Sequence, residues 1–262
     1  MKFKILPVLI ITLLVTITIG VVVVMKKKTS PAAPVESTTP SLPINAIPVE
    51  ERPYISLTPD LSAHNLTLHV ENAPEGTMEY ELLYNTQGKQ DGIFGRLTLT
   101  PAPQDKVLLM GSKSAGGKVT YYEGVTGGSL TVTYSDTRLK ESFNFLSFDP
   151  KSPTISSTDS KFTVKFADNA YKAKTPIITM KTFGLPKALP TGKLIVGPYT
   201  FTAPLEPKGE LALTLTLPAG EHVNPTIYEY DGESWVKLTT KLSGDNVTGS
   251  SLGGNLYVVV AD

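Results

Sequence analysis

A run without a single charge, Ile5 to Met25, constrains this chain more than any other feature. Lys2 and Lys4 precede it, and Lys26, Lys27 and Lys28 follow it. At about 1.5 Å per residue, a helix over 5–25 is roughly 32 Å long, enough to cross a bilayer core of about 30 Å. Residues 1–28 are therefore expected to form a transmembrane anchor. A cleaved secretory signal fits less well. Its apolar core is usually shorter, and a small-residue cleavage site would follow where three lysines stand here. The lysines on the two flanks nearly balance, so the positive-inside rule does not fix orientation. By analogy with other proteins of this build, the expected arrangement is N-terminus in and C-terminus out.

Residues 29–52 read as a stalk. Pro31, Pro34, Pro40, Pro43 and Pro48 are interleaved with Ser and Thr. Such a composition buries too little apolar surface to offset its ordering entropy, so the segment is expected to be disordered. Fully extended, it reaches about 75 Å.

About 210 residues remain, enough for one large or two ordinary domains. The 24 basic and 24 acidic side chains balance, so electrostatics gives no reason to expect a nucleic-acid partner. The absence of cysteine excludes disulfides, thiolate nucleophiles and cysteine metal sites.

The remainder has strand periodicity throughout. Leu66, Leu68 and Val70 alternate with Thr67 and His69, and Met78–Tyr84 is the strongest strand in the first part. Arg96–Thr100, Lys106–Met110, Lys118–Glu123, Ser129–Tyr134 and Glu141–Leu146 follow. Turn signals separate them at Ala73–Gly76, Asp91-Gly92, Gly116-Gly117 and Gly127-Gly128. Two prolines in Phe148–Thr154 mark a boundary. Beyond it, Leu211, Leu213, Leu215 and Leu217 alternate with polar or small residues, and Asp231-Gly232 signals a tight hairpin carrying Trp235. Trp235, the only tryptophan, is expected to be a core anchor. The expected fold class is all-β: two antiparallel β-sandwich modules of immunoglobulin-like type, 53–149 and 155–262, behind the N-terminal helix.

The stretches LTLTLPAG, IYEYDGESWVKL and NVTGSSLGGNLYVVVAD resemble the closing β-sandwich modules of bacterial and archaeal surface proteins. PYISLTP, MEYELLYN, GIFG and YYEGVTGGSLTV resemble membrane-anchored bacterial envelope proteins of unassigned function. The resemblance implies display outside the cytoplasm. It brings no catalytic residues with it.

Signatures of chemistry are sparse. Gly111–Lys118 has the look of a phosphate loop, but Ser112 stands where its first glycine belongs and Val119 where its hydroxyl belongs. His64, His69 and His222 show no metal-ligand spacing. There is no G-x-S-x-G nucleophile turn. No cofactor, metal or catalytic residue is expected. Tyr80, Tyr84, Tyr121 and Tyr122 are the candidate binding surface, suited to carbohydrate if they share an exposed face. The expected function is a non-catalytic, single-pass envelope protein held in the membrane by 5–25, with a protein or carbohydrate ligand at the cell surface. The alternatives are a β-rich hydrolase or lyase, and an accessory subunit of a membrane complex.

Overall fold

The computed structural model describes residues 42–190, 192–254 and 256–262. The expected anchor over 5–25, and the stalk up to residue 41, lie outside them. Among the described residues, no helix is long and apolar enough to cross a membrane. The chain from 42 to 262 is one compact unit built on antiparallel sheets, with a short 3-10 helix at Val49–Glu51.

The first part supplies β1 (Tyr54–Pro59), β2 (Asn65–Glu71), β3 (Gly76–Thr86), β4 (Lys89–Leu99), β5 (Gln104–Leu109), β6 (Gly111–Lys113), β7 (Val119–Tyr121), β8 (Gly127–Tyr134) and β9 (Thr137–Ser147). The second supplies β10 (Thr154–Ser156), β11 (Phe162–Lys165), β12 (Pro176–Lys181), β13 (Lys193–Thr202), β14 (Leu211–Thr216), β15 (Thr226–Tyr230), β16 (Trp235–Lys237), β17 (Thr240–Ser243), β18 (Asn246–Ser251) and β19 (Leu256–Ala261).

Strands from both parts join in one nine-stranded sheet, ordered β16-β15-β19-β13-β12-β9-β8-β3-β4. The junction is β9 against β12, in register from Ser147↔Pro176 to Phe143↔Met180. Alternate residues of a strand point to opposite faces, and here they supply two cores. Phe143, Phe145, Ile178 and Met180 face one way, into the apolar cluster shared with the three-stranded sheet β1-β2-β5. Leu146 and Ile177 face the other way, into the cluster shared with the five-stranded sheet β10-β11-β14-β18-β17. The central sheet therefore carries one partner sheet on each face, toward opposite ends.

The Phe148–Thr154 segment stops strand pairing as its prolines require, yet it is built into the body. Phe148 is buried edge-on against Phe166 and Tyr171, and its amide donates to the Thr175 carbonyl at 2.8 Å. The apolar clusters divide near this segment, whereas the sheet runs past it.

Residues 42–52, expected as the end of a disordered stalk, are folded onto β9. The Asn45 amide donates to the Arg138 carbonyl at 2.9 Å. Its side chain donates to the Lys140 carbonyl and accepts from the Lys140 amide, both at 3.0 Å. The first half of β9, beyond the reach of β12, is thereby closed. Arg52 locks the segment from behind, donating to the Ile47 carbonyl at 2.8 Å and the Asn45 carbonyl at 3.1 Å. Its guanidinium also lies 3.8 Å from the Glu141 carboxylate. Proline content hid these specific donors and acceptors.

Two turn expectations move. Asp91-Gly92 is inside β4, and the hairpin closes instead at Gln87-Gly88, where Gly88 takes a φ of 85°. Gly127-Gly128 begins β8 because another backbone crosses it closely. A methyl group on Gly128 would sit 1.9 Å from the Leu83 carbonyl oxygen. Gly128→Ala is therefore expected to cost at least about 3 kcal/mol in urea unfolding, since neither backbone can yield inside the sheet. Gly116→Ala, with its nearest neighbour at 4.0 Å, should leave the midpoint unchanged.

Candidate functional site

The four tyrosines do not form one surface. On β3, Met78, Tyr80, Leu82 and Tyr84 are the inward series, so Tyr80 is 6% exposed and Tyr84 is 0% exposed. Tyr121, on β7, is 43% exposed and stacks on His64 at 3.9 Å between ring centres. Tyr122 turns toward the core, 6.3 Å from Tyr84, with the Lys89 ammonium 4.6 Å above its ring. Strand parity separates what sequence proximity had grouped.

The opposite parity builds a different site. On the face of β4-β3-β8-β9 turned away from the first core, register aligns Arg96, Glu79, Thr133 and Arg138 in one row across the strands. The next row is Phe94, Glu81, Thr131 and Lys140. These residues, apart from Lys140, line a groove of about 660 Å³ together with Tyr80, Gly95 and Leu42, so one of the four candidate tyrosines, though only 6% exposed, belongs to its lining. Arg96 donates to Glu79 through Nε at 2.9 Å and Nη2 at 2.6 Å, so that pair is satisfied. The side chains of Glu81, Arg138 and Lys140 have no hydrogen-bond or ion-pair partner among the described residues. Phe94 is 66% exposed. Its ring reaches back over Gly92, where a side chain would lie 3.0 Å from the ring and 2.9 Å from Leu83. A glycine at 92 thus makes room for an aromatic on an open sheet face.

The same face continues into a second groove of about 500 Å³, lined by Asn85, Gln90, Ser129, Ser142, Asn144 and Thr158 among others. Thr158, in the loop between β10 and β11, joins its lining from the neighbouring layer. Asn144 and Thr179 both donate to the Ser156 carbonyl at 2.9 Å, fixing β10 against the central sheet. Asp159 holds the following loop. It accepts from Tyr199 at 2.5 Å, from Ser157 at 2.6 Å and from the Lys161 amide at 3.1 Å. Burial alone would raise the Asp159 carboxyl. These donors and the Lys181 charge outweigh it and hold the carboxyl below its usual range.

A third depression, about 720 Å³, lies beside β15 and the Lys237–Thr240 turn, with Tyr228, Lys237, Thr240 and Asp262 on its walls. It shows no exposed aromatic platform, and Asp262 is already taken by the Asn224 amide at 2.8 Å.

Ser251 gives the closest approach to a polar catalytic cluster. Its hydroxyl donates to Glu229 at 2.5 Å and accepts from the Gly253 amide at 3.0 Å and the Gly254 amide at 3.3 Å. One donor and both lone pairs are thereby used within a buried turn, which reads as a lock on the β18–β19 connection. His69 sits on an exposed strand face between Asp105, at 2.8 Å, and Glu71, at 3.7 Å. Among the described residues, no group of three or more acidic or histidine side chains is arranged to hold a metal ion. Gly111–Lys118 is a hairpin turning at Ser114–Lys118, so its glycines serve β6 and β7.

Period-two alternation in Gly76–Thr86 and Lys89–Leu99 was the available signal for the groove. Reading Asp91-Gly92 as a turn removed Phe94 from its strand and concealed the second row. Comparison with family models and with curated proteins returns no match.

Two measurements test this account. The Tyr84 hydroxyl is buried without a hydrogen-bond partner among the described residues, and burial foremost, with Asp91 and Tyr122 nearby, pushes it up to about 12. Tyr84→Phe should leave thermal stability unchanged or raise it by about 1–3 kcal/mol, the usual desolvation penalty of an unsatisfied group. A partnered tyrosine would lose stability instead. Asp159 is held low, so its contribution to stability is present above the ordinary carboxylate value near pH ~3.9 and fades as pH falls below it. Asp159→Asn should therefore melt earlier than the parent at pH 6, with the difference narrowing toward pH 3.

Proposed function

We propose that this chain is a non-catalytic, single-pass envelope protein that holds a ligand on the open face of its central sheet. In this reading 5–25 is the membrane anchor. The body is a pair of immunoglobulin-like β-sandwich layers sharing the nine-stranded sheet, displayed outside the cytoplasm. The observation that carries the reading is the groove of about 660 Å³ bearing exposed Phe94 beside Glu81 and Arg138, which have no side-chain partner among the described residues. Phe94 stands out from the other exposed apolar side chains because it lines a groove among polar groups. A few polar groups converging beside it are what a binding site uses to fix orientation. All of them stand on strands of one sheet, so their spacing is set by backbone pairing rather than by loops.

The uncharged run before the folded body, and the strand stretches quoted above, support display at a membrane. The saturated hydrogen bonding of Ser251 supports a role without turnover.

The test has two arms. A C-terminal tag should be cleaved by added protease in intact cells. Protection that survives selective opening of any outer envelope layer would place the body in the cytoplasm and overturn display. On arrays of oligosaccharides and extended peptides, the detergent-solubilised chain should bind at least one class. The double variant Phe94→Ser/Arg138→Ser should lose that binding with an unchanged melting temperature. Undiminished binding by the double variant would place the ligand elsewhere.

A further inference from the structure

We infer that the ligand of this face is a linear oligosaccharide carrying carboxylate groups, lying across the strands from Phe94 to Arg138 and Lys140. The inference rests on the groove being the ligand seat.

Distance decides the size of the ligand. Phe94 is on β4, and the cations Arg138 and Lys140 are on β9, with β3 and β8 between them. Three strand spacings amount to about 14 Å, too far for one small molecule to touch both ends. The occupant is therefore an extended chain.

Direction decides against a peptide strand. An added peptide strand would run along the open edge of β4, bonding to its backbone. The groove instead runs perpendicular to the strands, and its lining is side chains from all four.

Chemistry decides the units. The Phe94 ring offers a flat apolar face with negative π density, complementary to the C–H face of a sugar ring. Midway, Glu81 and the Thr133 hydroxyl, on neighbouring strands, offer acceptors and a donor suited to sugar hydroxyls. At the far end, the Arg138 guanidinium presents a fork of donors matched to a carboxylate, with Lys140 two residues along the same strand face. Charge thus changes along the groove from aromatic, through a hydroxyl acceptor, to cationic. A sugar chain with a carboxylate on alternate or successive units meets all three in order. The adjoining groove, with Asn85, Gln90, Ser129, Ser142 and Asn144, adds amides and hydroxyls on the same face.

Calorimetric titration of the full chain in detergent, with three probes, tests this. Hexagalacturonate should bind. Arg138→Gln should weaken it about tenfold or more, the usual effect of losing a hydrogen bond to a charged group. Arg138→Lys should restore part of the loss, and raising salt should weaken binding further. Phe94→Ala should weaken it as well, with the melting temperature unchanged in every variant. Equal binding of neutral maltohexaose would overturn the carboxylate assignment and leave the groove as a glycan seat. Equal binding of hexaglutamate would show that charge alone is read and would overturn the sugar assignment. No response to hexagalacturonate would overturn the inference outright. In each case, the loss of array binding in Phe94→Ser/Arg138→Ser separately decides whether the groove binds at all.

Discussion

The pairing of β9 with β12 is the contact on which the rest of the molecule depends. These strands lie on either side of a proline-bearing segment, and their register turns two strand sets into one sheet. Because alternate residues point to opposite faces, the pair must feed two apolar clusters at once. Phe143 and Met180 serve one, Leu146 and Ile177 the other. A one-residue slip between them would send both sets to the wrong side, so two cores select the same register. The partner sheets then stand on opposite faces. The half of the sheet farthest from the five-stranded layer keeps that face open.

An open face and long edges call for protection, and the structure treats its edges differently. The upper half of β9 is closed by Asn45, whose side-chain amide exchanges two hydrogen bonds with the Lys140 backbone as a neighbouring strand would. Arg52 fastens that closure and lies close to Glu141. Burial raises the Glu141 carboxyl, while Lys181, Arg52 and Asn45 work against the shift. The pair therefore fixes the position of residues 42–52 more than it adds net stability. At the far end the sheet terminates in β16, which is only three residues long. The opposite edge, β4, is long but carries Lys89, Asp91 and Arg96, charges that discourage unplanned strand addition.

Most strands were legible because their apolar residues alternate cleanly. Leu66, Leu68 and Val70 are all buried, as are Phe162, Val164 and Phe166, and Leu211 through Leu217 in steps of two. The Asp231-Gly232 hairpin forms as expected, with Tyr230 opposite Trp235. Trp235 is half-buried against Tyr230 rather than deep in the core. What failed to show was whatever depends on long-range pairing. β10 and β17 are short and carry no pattern of their own. β13 continues through register shifts around Gly197-Pro198 that no local rule announces. The four tyrosine candidates are dispersed for a related reason, with Tyr80 alone lining the groove. Tyr80 and Tyr84 share a parity with Met78 and Leu82, which assigns them to the core, but that parity has a direction only once the covering sheet is known. Phe94 needed Gly92 to be recognised as space rather than as a turn.

The character of the open face follows from its place in the sheet. A loop site can close around a reacting atom and exclude water. A row of side chains on four paired strands does neither, but its backbone spacing is already fixed, so binding orders only the side chains. Arg96 is already neutralised by Glu79, which leaves Glu81 and Arg138 as the groups with capacity to spare. They sit two strands apart on neighbouring rows, too far to quench each other and close enough to be bridged by one extended molecule. Under the proposed function, that separation suits retention of a chain-like ligand. It accounts for why the polar chemistry on this face stays exposed, while the denser polar cluster at Ser251, Glu229 and Tyr257 is sealed in a turn.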